Sequence, residues 1–219
     1  RLPGKMMFPL ASNHVIEHVI RRVTAADSVD KVVVATSTGR SDDIIEQYAS
    51  TAGADVFRGS ETDVLGRMYD AVAVYDPSVV VRIAGDRPLV PPACIEAVVD
   101  QLRETDVDYA ANVLERTFPY GFEAEAFTFE SFEAVEAAST KPEQREHVTP
   151  YYRSNPQEFT RANVTSATVF DDPALQDRTD LRLTLDEASD YELLKTVYDN
   201  VPFDGILPVA DAIAYIDEV

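Results

Sequence analysis

Two aspartates a hundred positions apart each close an apolar, strand-like run. Asp86 ends Val79-Val80-Val81-Arg82-Ile83-Ala84-Gly85, and Asp186 ends Leu181-Arg182-Leu183-Thr184-Leu185. Carboxylates that meet at such strand ends can share a Mg²⁺ ion, a hard cation that takes oxygen ligands and keeps several waters. Near the start, Arg1 and Lys5 flank Leu2-Pro3-Gly4, the tail of a phosphate-cradling loop that leaves a strand and feeds a helix. Displacement at phosphorus needs both kinds of group, a metal to bridge oxygens and fixed cations around the leaving group. Each feature also has a plainer reading. Either aspartate can merely cap the next helix, and Pro-Gly-Lys alone is an ordinary turn.

The elements that must carry these residues are legible from periodicity. Val79 to Ile83 is a short, β-branched run of the kind a sheet interior accepts on both faces, and Gly85-Asp86 offers a tight turn before a helix from Pro92. Ligands of open α/β sheets lie beyond the carboxyl ends of the strands, so Asp86 is where a metal or phosphate belongs. Ahead of it, Val15, Ile16, Val19, Ile20 and Val23 make the apolar stripe of a helix capped by Ser12 or Asn13. A strand at 31–36, a helix at 42–52, a strand at 54–57 and a helix at 64–75 follow. This alternation predicts a parallel, right-handed wound sheet whose first strand is missing from the given sequence. After a helix at 95–102 and a strand at 108–114 the rhythm changes. Glu123 to Phe129 alternates as an antiparallel strand, with helices at 131–138 and 142–152, a strand at 159–165, a loose loop at 166–179 and a strand at 181–186. Helices around 191–198 and 209–216 close the chain.

The chain has 219 residues, 39 acidic against 19 basic, for a net charge of −20, and four of the basic residues are lysine. Length and even composition suit one domain over 1–219. Nucleic acid is excluded as a partner because no basic cluster overcomes that field. No run approaches the roughly 20 apolar residues of a membrane helix. The single cysteine, Cys94, sits among apolar neighbours, which points to a reducing cytoplasm. Acidic, lysine-poor composition fits a high-salt cytoplasm, where screening removes self-repulsion.

Six stretches together resemble nucleotidyltransferases of the spore coat polysaccharide biosynthesis protein F type, within the cytidylyltransferase superfamily. They are Arg1 to Lys5, Val32 to Ser37, Phe57 to Arg67, Arg82 to Leu89, Arg145 to Pro150, and Asp180 to Asp186 with Tyr191-Glu192-Leu193. The enzymes that make CMP-3-deoxy-octulosonate and CMP-sialic acids are more distant relatives. The resemblance implies a Rossmann-like nucleotide-diphospho-sugar transferase fold, mostly parallel with an antiparallel inserted part, with a nucleotide-binding half to about residue 115 and a sugar-binding, dimerising half over 116–219. It also implies attack of a sugar oxygen on the α-phosphate of CTP with release of pyrophosphate. The family's opening Ala-Arg-x-x-Ser-x-Arg loop is present here only as Arg1.

On that resemblance Arg1 and Lys5 bind the triphosphate and Lys5, Arg82 and Asp86 are catalytic. Asp86 and Asp186 hold Mg²⁺, and Thr36, Ser37, Ser60, Glu61 and Gly85 border the nucleotide. Arg82 is equally readable as a sheet-end ion pair, and Ser60 as a helix cap completed by Asp63. Arg145, Glu146 and His147 face the sugar or sugar acid, for which a fork donor among mixed polar groups is suited. Glu123 and Glu125 line the same pocket or face solvent, solvent being expected for one of them. His14 and His18, four apart on a helix, lack a third ligand and are expected at the surface. The apolar face of 123–129 offers a homodimer contact. The alternatives are a glycosyltransferase that uses a nucleotide sugar and a non-catalytic nucleotide-sugar binding module.

Overall fold

The structure is a computed structural model that describes residues 2–219; Arg1, assigned above to the triphosphate, lies outside the described residues. A two-residue hairpin, β1 (Pro9–Leu10) and β2 (Asn13–His14), leads into α1 (Val15–Thr24). The cap is His14 rather than Ser12 or Asn13: Glu17, one turn in, accepts from the His14 backbone N–H at 2.8 Å and lies 2.7 Å from its Nδ1. His18 is not at the surface. Its ring is buried, with Nε2 2.9 Å from the Leu10 carbonyl, because α1 turns that position toward the hairpin.

Strand β3 (Val33–Ser37), helix α2 (Asp43–Thr51) and strand β4 (Asp55–Gly59) form a parallel strand-helix-strand unit with Val33 opposite Asp55 and Ser37 opposite Gly59. Helix α3 (Val64–Ala73), strand β5 (Val79–Arg82) and helix α4 (Pro92–Thr105) follow, α4 opening on a proline whose missing N–H costs nothing there. The chain then lays down β6 (Tyr109–Ala111), β7 (Glu125–Thr128), α5 (Phe129–Ala138), α6 (Pro142–His147), α7 (Pro150–Ser154), β8 (Arg161–Asn163), α8 (Ser166–Val169), α9 (Ala188–Asn200) and α10 (Val209–Glu218). The order of the larger sheet is β5-β7-β6-β8, with β7 antiparallel to both neighbours and β8 parallel to β6. Strand β7 is thus the antiparallel insertion, and β3-β4 form a separate ladder.

Three expectations change. The helix at 142–152 is two, broken where buried Val148 takes φ 70°. The segment 166–179 is ordered as α8 and a 3₁₀ turn at Pro173–Leu175. Leu181 to Asp186 is not a strand: Leu183 and Leu185 are buried, but the backbone pairs with the turn at Tyr120 and with Asp86 rather than with a sheet edge.

One face of the larger sheet packs Ile95, Val98, Val99 and Leu102 of α4. The other packs Leu65 of α3, Phe132 of α5 and Tyr152 of α7 around Val80 and Phe127. Because β7 lies inside the sheet, Ala124, Ala126 and Phe127 are fully buried, so the dimer contact anticipated for 123–129 has no surface there. Glu123 and Glu125 are both buried, 6% and 3% exposed, so neither faces solvent. Among the described residues no helix is long and apolar enough to cross a membrane.

Candidate active site

Lys5 is the centre of the site. It sits in a 3₁₀ turn at Lys5–Met7 that follows Gly4 at φ 69°, a backbone conformation that glycine adopts without a Cβ penalty. Its ammonium donates to Asp86 Oδ2 at 2.7 Å, to Asp186 Oδ1 at 2.9 Å and to the Leu185 carbonyl at 2.6 Å. Both aspartates therefore reach a single cation from one rim. The backbone brings them there: the Asp86 carbonyl accepts from Leu185 N–H at 2.9 Å, which ties the β5 exit to the segment carrying Asp186. Gly85 makes room in the turn, since a Cβ there would lie 3.2 Å from Met6 Sδ.

Arg182 donates to Asp186 Oδ2 at 2.8 Å and to Asp190 at 3.1 Å. Asp190 in turn accepts from the N–H groups of Asp186 and Glu187, fixing the turn into α9. Partial burial of Asp186 opposes its ionisation, but Lys5 and Arg182 outweigh that and hold it below the usual carboxylate range.

At the carboxyl end of β3, Thr36 and Ser37 are buried and both hydroxyls donate to Asp42 Oδ2, each at 2.7 Å. Burial works against the Asp42 charge, yet the bonds from Ser37 and Thr36 keep its pKa lowered. After β4, the Ser60 hydroxyl accepts from Asp63 N–H at 3.0 Å, but the N-cap of α3 is Asp63, which accepts from Gly66 N–H at 2.9 Å, so Ser60 is not the helix cap anticipated for it. Arg145 spends its guanidinium on Asp63, at 2.8 and 2.5 Å, and on Glu136, tying α6 to α3 and α5. Glu61, Glu146 and His147 are exposed.

Arg82 pairs with Glu125 at 2.5 Å, which is also its partner in β-sheet register. Tyr109 and Thr149 donate to the other Glu125 oxygen at 2.6 and 2.8 Å. Burial raises the Glu125 pKa, but Arg82 and these two hydroxyls more than offset it and leave the group ionised. Beside it, Glu123 receives Arg87 at 3.1 Å, Arg116 at 2.9 Å and Gly121 N–H at 2.8 Å. The structure thus gathers Lys5, Asp86 and Asp186 at one point, sets Arg82 and Glu123 in ion-pair networks, and turns Arg145 toward the helical frame.

The cytidylyltransferase family profile matches residues 1–204. The chain belongs to the cytidylyltransferase family. The spore coat polysaccharide biosynthesis protein SpsF of Bacillus subtilis is 31% identical over 203 residues, covering 90% of this chain and 81% of that protein. An uncharacterised protein of Methanocaldococcus jannaschii is 33% identical over 193 residues, covering 88% and 76%. Among solved structures, a cytidylyltransferase from Leptospira borgpetersenii covers all of this chain and 89% of its own, with 29% identity and a TM-score of 0.89.

A divalent ion fits the cytidylyltransferase site. Among the described residues no group of three or more His, Cys, Asp or Glu side chains could hold a metal alone. Two carboxylates on one rim are nonetheless what Mg²⁺ uses when waters and substrate phosphates complete its shell. In the structure the Lys5 ammonium lies between them, 2.7 Å from Asp86 and 2.9 Å from Asp186. Sequence reasoning missed Asp42, Arg116, Arg182 and Asp190. The Arg182, Asp186, Asp190 spacing of four was the available signal for two of these; Asp42 and Arg116 act across turns whose geometry no local pattern reveals.

Proposed function

We propose that the protein is a Mg²⁺-dependent cytidylyltransferase that activates a sugar or sugar acid with CTP, releasing pyrophosphate, for surface polysaccharide or glycan synthesis. The convergence of Lys5, Asp86 and Asp186 on one rim carries this reading. Membership of the cytidylyltransferase family supports cytidine as the base, and the name of the Bacillus relative supports the polysaccharide role. A sugar acid is supported by the 3-deoxy-manno-octulosonate cytidylyltransferase of Haemophilus influenzae, 30% identical over half of this chain and 44% of its own length.

Asp86 and Asp186 would hold the Mg²⁺, which when bound neutralises charge on the transferring phosphate. Lys5 lies close enough to both carboxylates to take a phosphate oxygen once they turn to the metal, and Arg1 is its proposed companion. Thr36, Ser37, Ser60, Glu61 and Gly85 border the nucleotide, with Asp42 fixing the first two hydroxyls. Arg82, held by Glu125, would supply positive charge to the reaction, and Glu123, which holds Arg87 and Arg116, would serve the sugar. Glu146 and His147 are exposed for sugar contacts, while Arg145 acts through the frame it ties together. The setting we propose is a reducing, salt-rich cytoplasm.

The test is a screen of pyrophosphate release with each of the four nucleoside triphosphates against sugar acids and sugar phosphates, with and without Mg²⁺. Release with CTP alone among the four, abolished by chelation, is expected. Transfer from a preformed nucleotide sugar without pyrophosphate release would overturn the reading.

A further inference from the structure

The loop that joins β6 to β7 carries Arg116, Tyr120 and Glu123. Glu123 is buried and accepts from two arginines, Arg87 Nε at 3.1 Å on one carboxylate oxygen and Arg116 Nη1 at 2.9 Å on the other. Two guanidinium groups on one acid leave an excess of one positive charge, in a chain whose net charge is −20. Arg87 is the more committed of the two, since it also donates to the Glu123 carbonyl at 2.8 Å. Its side chain is 14% exposed against 26% for Arg116, so the surplus charge is presented by Arg116.

The Arg116 guanidinium lies over the Tyr120 ring, 3.8 Å from its centroid. The ring is 43% exposed, so the stack adds little to stability. Its effect is on orientation, because ring contact occupies the flat face of a guanidinium and leaves the in-plane N–H donors unobstructed. Among the described residues, the bond to Glu123 is the only hydrogen bond those donors make. Arg116 is thus a fork donor held still with an edge open. The loop also lies beside the two aspartates. Tyr120 is bridged in parallel register to Arg182, which puts their side chains on one face, and Arg182 donates to Asp186. Contacts therefore run unbroken from Asp186 through Arg182, Tyr120, Arg116 and Glu123 to Arg87, the residue that follows Asp86.

On the transferase reading above, on which this inference rests, we propose that Arg116 anchors an anionic substituent of the sugar, a carboxylate or a phosphate, and that Tyr120 and Glu123 hold it in position. A planar fork of N–H donors matches two oxygens of either group. Such an anion neutralises the charge that Glu123 leaves uncompensated, which a neutral sugar does not. Pinning one end of the sugar fixes which of its oxygens is carried toward Asp86 and Asp186, so Arg116 selects the acceptor by where its anionic group sits.

The experiment pairs sugar binding, by calorimetry with Mg²⁺ and a non-hydrolysable CTP analogue, with pyrophosphate release from CTP. The probes are 3-deoxy-octulosonate and N-acetylneuraminate as sugar acids, glucose 1-phosphate and mannose 1-phosphate as sugar phosphates, and glucose and N-acetylmannosamine as neutral sugars. An anionic class should bind at least about tenfold tighter than the neutral sugars, and whichever of the two binds tighter identifies the group as carboxylate or phosphate. Arg116→Met should weaken that binding at least about tenfold, raising KM for the sugar and not for CTP. Arg116→Lys, which keeps the charge without the fork, should fall between. Should Arg116→Met not fold, Tyr120→Ala at its exposed position decides, with a weakened affinity again expected. Binding that depends on Arg116 without pyrophosphate release from any nucleoside triphosphate would refute the transferase reading and keep the anion site. Equal affinity for anionic and neutral sugars, no binding of any anionic probe, or unchanged affinity in the folded variant overturns the inference.

Discussion

Replacing Glu125 by alanine isolates one buried charge with three partners. Glu125 is 3% exposed and accepts from Arg82 at 2.5 Å, Tyr109 at 2.6 Å and Thr149 at 2.8 Å. Removing one partner of a buried ion pair costs about 3–5 kcal/mol, because the remaining charge is stranded. The Arg82 side chain is 19% exposed, so water reaches its head and the lower figure applies, about 3 kcal/mol. The two hydroxyls lose a charged acceptor, which adds about 1 kcal/mol each. Glu125→Ala should therefore lose about 5 kcal/mol, a large share of the roughly 5–15 kcal/mol of an ordinary domain. Glu125→Gln keeps one acceptor oxygen and should lose about half as much. Urea denaturation followed by circular dichroism, with slopes compared, measures both. Combining Arg82→Met with Glu125→Gln should cost less than the sum of the single changes, since neither charge is then left alone. A loss below about 1 kcal/mol for Glu125→Ala, at unchanged slope, would refute this account of the network.

His18 predicts a pH dependence. Burial pulls its pKa from 6.5 down to about 4, so the unfolded chain binds the proton more readily than the folded one. Its contribution is complete above pH 6.5 and falls as pH drops toward 4, by about 3 kcal/mol in all. A His18→Gln variant should flatten that stretch of the denaturation-versus-pH curve, and an equally steep curve would contradict the assignment. Gly121, at φ 107°, lies so close to the 183–184 backbone that a Cβ would sit 2.5 Å from the Leu183 carbonyl. Gly121→Ala should push away the segment that carries Asp186, costing at least about 2 kcal/mol. Turnover should drop with it; a variant as stable and active as the parent would show the segment to be held otherwise. A net charge of −20 predicts that the melting temperature rises with KCl up to about 1 M, where the Debye length is roughly 3 Å. A flat melting series would remove the case for a salt-rich cytoplasm.

The first half of the fold was legible because its signals are local. Apolar stripes at helical spacing and β-branched runs ended by Gly or Pro located α1 to α4 and β3 to β5 to within a few residues. Asp86 was found for the same reason: a turn after a buried strand exposes whatever residue fills it. Leu181 to Asp186 misled because its alternation buries Leu183 and Leu185 as a strand would, while its hydrogen bonds go to Tyr120 and Asp86. The burial of Glu123 and Glu125 was illegible, since alternation with alanine reads as one polar, solvated face. Only the distant partners Arg82, Arg87 and Arg116 make carboxylates acceptable inside the sheet. Likewise nothing near Arg145 in the chain announces Asp63, 82 positions away.

The central claim is that Asp86 and Asp186 act together on one cation beside Lys5, and the most direct test is the steady-state rate of pyrophosphate release by Asp86→Asn. Lys5 keeps Asp186 and the Leu185 carbonyl in that variant, so the fold should stand, with the melting temperature within a few degrees of the parent. The account predicts a fall in kcat of at least about 10³-fold, roughly 4 kcal/mol of barrier. A folded Asp86→Asn protein that turns over within tenfold of the parent would contradict it.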